Sequence, residues 1–292
     1  MQSETRRAIA VFAHNEAKNI VSCLESVKMA IRIGDECFVL NNGSSDVTGA
    51  LVSAFSKDNS FCKLITIDMG DKANAWNVFC HELDIKASMF IFLDGDCRVS
   101  GDSFALLESS LQNNAYANAA TALPDESSSK KYREKMLLDG GLAGNLYAVS
   151  QKFMQRIRDG NVRLPIGLIG DDSLLGALAY WDLNPTGKWD TRRIIVCEGA
   201  SFSYDRLSLL SIADLRLYYR RKIRYSLRHY QTVLMKEPLK ARGLSAIPRN
   251  IEDLYLSTSP ILKLTWRGLD TWFDYLALRQ IKRCIRNRCS GC

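Results

Sequence analysis

Long apolar runs are missing from this chain. None approaches the ~20 residues needed to span a bilayer, because the best candidates, near residues 83–93 and 164–181, are interrupted by Asp84, Lys86, Asp171 and Asp172. The first 30 residues also lack the basic start and apolar core of a secretory signal. Histidine is scarce, and His14, His81 and His229 are too dispersed to suggest a His-ligated metal. The nine cysteines are odd in number and scattered, which argues against a disulfide framework and for reduced thiols. The terminal group Cys284, Cys289 and Cys292 lacks the second half of a zinc site. No internal repeat is visible. Together these absences predict a cytoplasmic protein, either soluble or lying at the cytoplasmic membrane surface.

What is present suits a folded enzyme. With 292 residues and 47% hydrophobic content, the chain can bury one substantial core and a smaller appended lobe. Its charge is divided unevenly. Residues 1–204 carry 21 Lys+Arg against 25 Asp+Glu, a net of −4, while residues 205–292 carry 18 against 7, a net of +11. The C-terminal part is thus suited to an anionic partner such as phosphate or lipid headgroups, or presents a solvated basic face; nucleic acid is not expected.

From Ala8 the chain alternates short apolar runs (8–13, 37–40, 63–67, 89–93) with helix-like stretches, the last of these over 72–87. Runs rich in Val, Ile and Phe without alternation predict a mostly parallel sheet covered by helices on both faces. Such sheets bind ligands beyond the carboxyl ends of their strands. The residues there are His14-Asn15-Glu16, then Asn41-Asn42-Gly43-Ser44-Ser45-Asp46, then Asp94-Gly95-Asp96. Further on come a helix near 102–113, an apolar stretch at 117–123, a polar loop at 125–131 read as mobile surface, and a glycine-rich segment leading to 146–149. Helices are expected at about 207–236 and 260–287, with Pro238 and Pro248 marking the linker. The division expected is a catalytic domain over 1–205 and a basic, mainly helical region over 206–292.

Asp94-Gly95-Asp96 is the sharpest feature. Two neighbouring carboxylates repel unless a cation holds them, and oxygen ligands at a strand end suit Mn²⁺ or Mg²⁺ bridging to substrate phosphates. An Asp-Gly turn is the plain alternative. The glycine would permit close backbone approach to the ligand. A second pair, Asp171-Asp172, opens an apolar helical run, where acids commonly cap a helix. One of them, Asp172, is also placed to act as a base. The Asn42 amide can accept from an imide N–H and donate to a carbonyl, the edge that uracil presents.

Taken together, these segments resemble glycosyltransferase family 2, whose members have the GT-A fold. The resemblance spans about residues 6–205 and rests on order and spacing: His14-Asn15-Glu16, Asn41 to Thr48, Lys72 to Asn77, Asp94-Gly95-Asp96, Gly144 to Ser150, and Gly170 to Leu175. Two departures stand out: Asn42 replaces the family's base-reading aspartate, and Asp171 replaces a glutamate. The resemblance implies an inverting transfer from a nucleotide-sugar donor, UDP-linked, to an acceptor the sequence does not name. The sugar would be of hexosyl or N-acetylhexosaminyl type. Ala13, Asn15, Glu16, Asn42, Asp94 and Gly95 would line the donor pocket, Asp96 would hold the metal, and Asp172 would be the base. Gly144 and Asp171 would sit on the acceptor side, and Arg221 and Arg224 would contact the diphosphate. The lack of membrane spans argues against a polysaccharide-exporting synthase.

Residues 216–228 hold six basic residues among aromatics, with Arg221, Arg224 and Arg228 at helical spacing. The series Trp266, Leu269, Trp272, Phe273 and Leu276, followed by Arg279, Lys282, Arg283, Arg286 and Arg288, reads either as an interfacial helix in peripheral membrane contact or as a face packed on the catalytic domain. Two other functions use the same residues: a nucleotidyltransferase, which has no need of Asp172, and a catalytically silent nucleotide-binding protein docked to a membrane or partner.

Overall fold

The computed structural model describes residues 7–206, 211–258 and 262–289. Eight strands form one sheet in the order β3-β2-β1-β4-β7-β6-β8-β5. The first half is parallel: β1 (Ala8–Ala13), β2 (Glu36–Asn42), β3 (Cys62–Ile67) and β4 (Met89–Asp94), connected by α1 (Ile20–Ala30), α2 (Thr48–Asp58) and α3 (Lys72–His81). The second half mixes directions, with α4 (Ser103–Gln112) and α6 (Gln151–Asp159) among its helices. β7 (Leu146–Ser150) runs antiparallel to both β4 and β6 (Ala119–Pro124), β8 (Ile194–Tyr204) is parallel to β6, and β5 (Cys97–Val99) closes the edge antiparallel to β8.

Alternate residues of β1 enter different cores: Ala8, Ala10 and Phe12 one side, Ile9, Val11 and Ala13 the other. This double burial explains why the strand reads as a continuous apolar run. On the first side Phe12, Phe92 and Tyr147 stack across adjacent strands, with ring centroids 6.2 and 4.8 Å apart. That same core takes in Tyr230, Leu234 and Met235 of α8 (Ile212–Arg242), Leu254 of α9 (Ile251–Thr258), and Ala277, Leu278 and Ile281 of α10 (Asp270–Cys289). The C-terminal helices therefore share a core with the sheet. At its chain start, Arg7 pairs with Asp35 in full burial.

Several expected elements differ. The stretch 125–131 is largely helical: Asp125 accepts from the Ser128 N–H at 2.7 Å and caps α5 (Glu126–Asp139), which is kinked at Ser129, where the backbone is extended (φ −164, ψ 93). Within it only Ser128 and Met136 are buried, so no apolar stripe announces it. Helix α3 ends at His81, six residues short of the expected 87. Pro238 lies inside α8 and does not mark a linker. It stands near the helix end, where the lost N–H removes one bond of the last turns. Pro248 does fall between helices. Helix α10 begins at Asp270, so Trp266 and Leu269 precede it. The expected helix start at 207–210, residues 260–261, and Cys292 lie outside the described residues, and the Arg288 and Cys289 side chains are likewise not described. Among the described residues no helix is long and apolar enough to cross a membrane.

Candidate active site

Register brings the strand ends together: Phe12 lies opposite Asp94 and Ala13 opposite Asn41. Two loops are then stitched to each other. Asn15 adopts a left-handed conformation (φ 56) and its side-chain oxygen accepts from the Ser45 N–H at 2.8 Å. The Asn15 N–H donates to Ser44 Oγ at 3.0 Å, and the Glu16 N–H donates to Thr48 Oγ1 at 2.8 Å. Asp46 accepts from the Ala17 N–H at 3.1 Å. Burial pushes the Glu16 carboxyl above its usual range; a hydrogen bond from Asn19 opposes this and the Asp96 charge adds to it.

Three residues expected on the donor side, Ala13, Asn42 and Gly95, are buried. Ala13 is 1% exposed, at the end of β1. A Cβ at Gly95 would stand 2.9 Å from the Phe12 carbonyl oxygen, so the approach of β1 already requires a glycine here. The buried Asn42 accepts from the Asp71 N–H at 2.8 Å, which fixes the side chain at the end of β2 and leaves a second lone pair on its oxygen besides the amide N–H groups.

Four carboxylates gather deeper in the cleft, around one lysine. Asp71 caps α3 by accepting from the Asn74 N–H at 2.7 Å, which fixes Lys72 at the first helical position. The Lys72 Nζ lies 2.6 Å from Asp94 and 3.4 Å from Asp171, and donates to the Gly144 carbonyl at 3.3 Å. Burial alone would lower its pKa, but the Asp171 and Asp94 charges outweigh that and hold the ammonium above its usual range. Burial pushes Asp94 up to about 7 despite Lys72, with Asp96 contributing.

Helix α7 (Asp171–Tyr180) places the second pair. Its cap, Gly170, has φ 98, and a Cβ there would meet Arg228 Nε at 2.6 Å. Arg228 of α8 thereby lies against the helix start, with its Nη2 3.2 Å from Asp172 and a further bond to Ser173 Oγ. Burial raises the Asp172 carboxyl above its usual range, Arg228 opposes the rise and Asp171 adds to it. A Cβ on Gly144 would come within 3.1 Å of Asp172, so this glycine leaves room for that carboxylate. Arg221, two turns before Arg228, stands 3.9 Å from Asp96. Arg224 is exposed. The structure thus gathers Asp94, Asp96, Asp171, Asp172, Gly144 and Arg221, and adds Lys72, Arg228 and Ser173, to which the sequence assigned no role. Arg228 had a signal in its helical spacing from Arg221; Lys72 had its place after the third strand.

The donor set fits a hard divalent ion shared with a substrate. Asp94 is committed to Lys72, whereas the Asp96 carboxylate is 30% exposed, accepts from the Cys97 thiol at 3.3 Å and has Arg221 at 3.9 Å. Among the described residues no cluster of three or more His, Cys, Asp or Glu is arranged to hold a metal alone. Mn²⁺ and Mg²⁺ are commonly held by one or two carboxylates, the remaining ligands being water and phosphate oxygens.

This architecture is the GT-A fold. The model of glycosyl transferase family 2 matches residues 8–168, more than half of the chain, and the chain belongs to that family. The match ends before Asp171, so the second acidic pair and the arginines of α8 lie beyond it. No curated protein matches the chain in sequence. Among solved structures, the mannosyltransferase PcManGT from Pyrobaculum calidifontis, in complex with GDP-Man and Mn²⁺, is similar with a TM-score of 0.59 and 15% identity, over 98% of this chain and 84% of that one. S. aureus TarS 1-349 in complex with UDP-GlcNAc gives 0.53 and 13%, over 98% and 92%. GalNAc-T7 with UDP, GalNAc and Mn²⁺ gives 0.53 and 12% over 89% of this chain, which spans 58% of that protein.

Proposed function

We propose that this chain is an inverting, metal-dependent glycosyltransferase that moves a hexosyl or N-acetylhexosaminyl group from a UDP-sugar to an acceptor hydroxyl. The observation that carries the reading is the linkage of the two acidic pairs through Lys72, which joins Asp94 to Asp171 and leaves Asp96 and Asp172 as the outer acids of a single cleft. Asp96 would hold the Mn²⁺ or Mg²⁺. The ion, when bound, neutralises charge developing on the departing diphosphate. Arg221 adds a fixed positive charge on the same side, and Arg224 follows it on that helix face. Asn42, held by the Asp71 N–H, would donate to a uracil carbonyl and accept from its imide N–H.

Asp172 would take the proton of the acceptor hydroxyl. A carboxyl raised by burial is a better base near neutral pH than an ordinary aspartate. Arg228 holds it in place and restrains the rise. Attack on the anomeric carbon from the face opposite the diphosphate inverts the configuration in one displacement.

The decisive measurement is UDP release from a panel of UDP-sugars with Mn²⁺, for the wild type and Asp172→Asn. Turnover in the wild type and its collapse in the variant are expected. Equal turnover in both would remove Asp172 as base. Release of pyrophosphate from a nucleoside triphosphate, with Asp172 dispensable, would replace the reading with nucleotidyl transfer, and binding without any turnover would make the protein a silent one. Thermal melts with nucleoside diphosphates test the donor separately, since a ligand of the folded state raises apparent stability.

A further inference from the structure

Large apolar side chains stand in the open beside basic ones on α10 and the segment that leads into it. Trp266 is 85% exposed, Leu269 92% and Trp272 57%. Helix α10 has a well-used inner side, where Asp274, Ala277, Leu278 and Ile281 are buried. The other side, at spacings of three and four residues, reads Trp272, Tyr275, Arg279, Arg283 and Arg286, all exposed. The Trp272 and Tyr275 rings lie 5.8 Å apart, and the Arg279 guanidinium sits 5.9 Å from the Tyr275 ring. From α8, Tyr219, itself 43% exposed, meets Phe273 at 5.5 Å and extends the aromatic surface.

Packing within the chain does not account for this face. The inner side of α10 already fills the core, so the outer aromatics are only partly covered by their neighbours and leave apolar surface in water, which costs solubility. Charge narrows what covers them. Both acids of α10 are turned to partners within the chain, Asp270 to Lys222 and Asp274 to Arg267, which leaves the outer side without a carboxylate. Residues 205–292 carry a net +11. Aromatics that settle at the headgroup level, followed by arginines that meet lipid phosphates, are the two components of interfacial anchoring. We propose that this face docks on an anionic phospholipid bilayer, with Trp266, Leu269, Trp272 and Tyr275 entering the headgroup layer and Arg279, Arg283 and Arg286 contacting lipid phosphates.

The test is co-sedimentation of the full chain with phosphatidylcholine vesicles, with and without phosphatidylglycerol. Binding is expected only with phosphatidylglycerol, weakening as salt is raised, with a blue shift of tryptophan emission. Trp266→Ala with Trp272→Ala should lower partitioning by about tenfold or more. Arg279→Glu with Arg283→Glu should do the same, and Arg279→Lys with Arg283→Lys should retain binding. Thermal melts of each variant matching the wild type exclude misfolding as the cause, and unchanged UDP release in solution separates docking from catalysis. Vesicle binding equal in wild type and variants, or equal for neutral and anionic lipid, would overturn the proposal. So would a dimer that the tryptophan variants dissolve in the absence of vesicle binding, because the face would then belong to a second copy.

Discussion

The two acidic pairs, Asp94/Asp96 at the end of β4 and Asp171/Asp172 at the start of α7, are built alike and differ in one respect. In each, one acid is tied to Lys72, at 2.6 Å for Asp94 and 3.4 Å for Asp171. The remaining acid faces an arginine of α8: Arg221 stands 3.9 Å from Asp96, and Arg228 3.2 Å from Asp172. The difference lies in openness. The Asp96 side chain is 30% exposed and loosely opposed, which suits a carboxylate that must admit a cation and phosphate oxygens. The Asp172 side chain is 13% exposed, touches its arginine and borders Gly144, which suits a proton acceptor held in one orientation. One arrangement, more open at Asp96 and more closed at Asp172, thus suits the two tasks proposed for it.

The strongest way to test that difference is to neutralise each outer acid. Asp172→Asn should lower kcat by about 10³-fold while leaving donor affinity nearly intact, as read by UDP release and by melts with UDP. Asp96→Asn should instead weaken Mn²⁺ and donor binding together, so matching phenotypes for the two variants would erase the distinction. Next in size is the shared centre. Lys72→Met leaves two carboxylates facing each other without their cation, and should cost about 3 kcal/mol of stability in denaturant unfolding, with activity lost as well. Arg221→Ala should reduce kcat/KM by about tenfold and Arg224→Ala by about twofold or less, in keeping with the exposure of Arg224. The smallest effect concerns pH. The base works when ionised, and Arg228 holds the Asp172 pKa down against burial. Arg228→Gln should therefore move the acid limb of the kcat profile to higher pH, whereas Arg228→Lys should largely keep it in place.

Much of the nucleotide half was legible because β1 to β4 are buried on both faces and read as unbroken apolar runs, each followed by polar residues at the sheet edge. The second half hid itself for physical reasons. β8 alternates buried and partly exposed residues around Glu198 and Gly199 and carries no continuous apolar signal. Helix α5 buries two residues and begins in a Ser/Lys-rich stretch that resembles a loop. At the site, acids announced themselves through charge repulsion, which demands explanation in any sequence. Their cations did not. Lys72 and Arg228 look like ordinary surface residues until α3 and α8 bring them to carboxylates 22 and 56 positions away. Asn42 and Gly95 show a further layer the sequence did not reveal, since both also serve neighbouring backbone.

Helix α8 also sets an order of events during synthesis. The cleft draws its acids from residues up to 172 but its arginines from 221 and 228, on a helix whose inner side completes the core through Tyr230, Leu234 and Met235. A nascent chain that has released only the sheet would carry an uncovered apolar face and an acidic pocket with Lys72 but without its arginines. On the proposed reading, the charge balance for a phosphorylated donor is therefore completed late, when α8 emerges and docks.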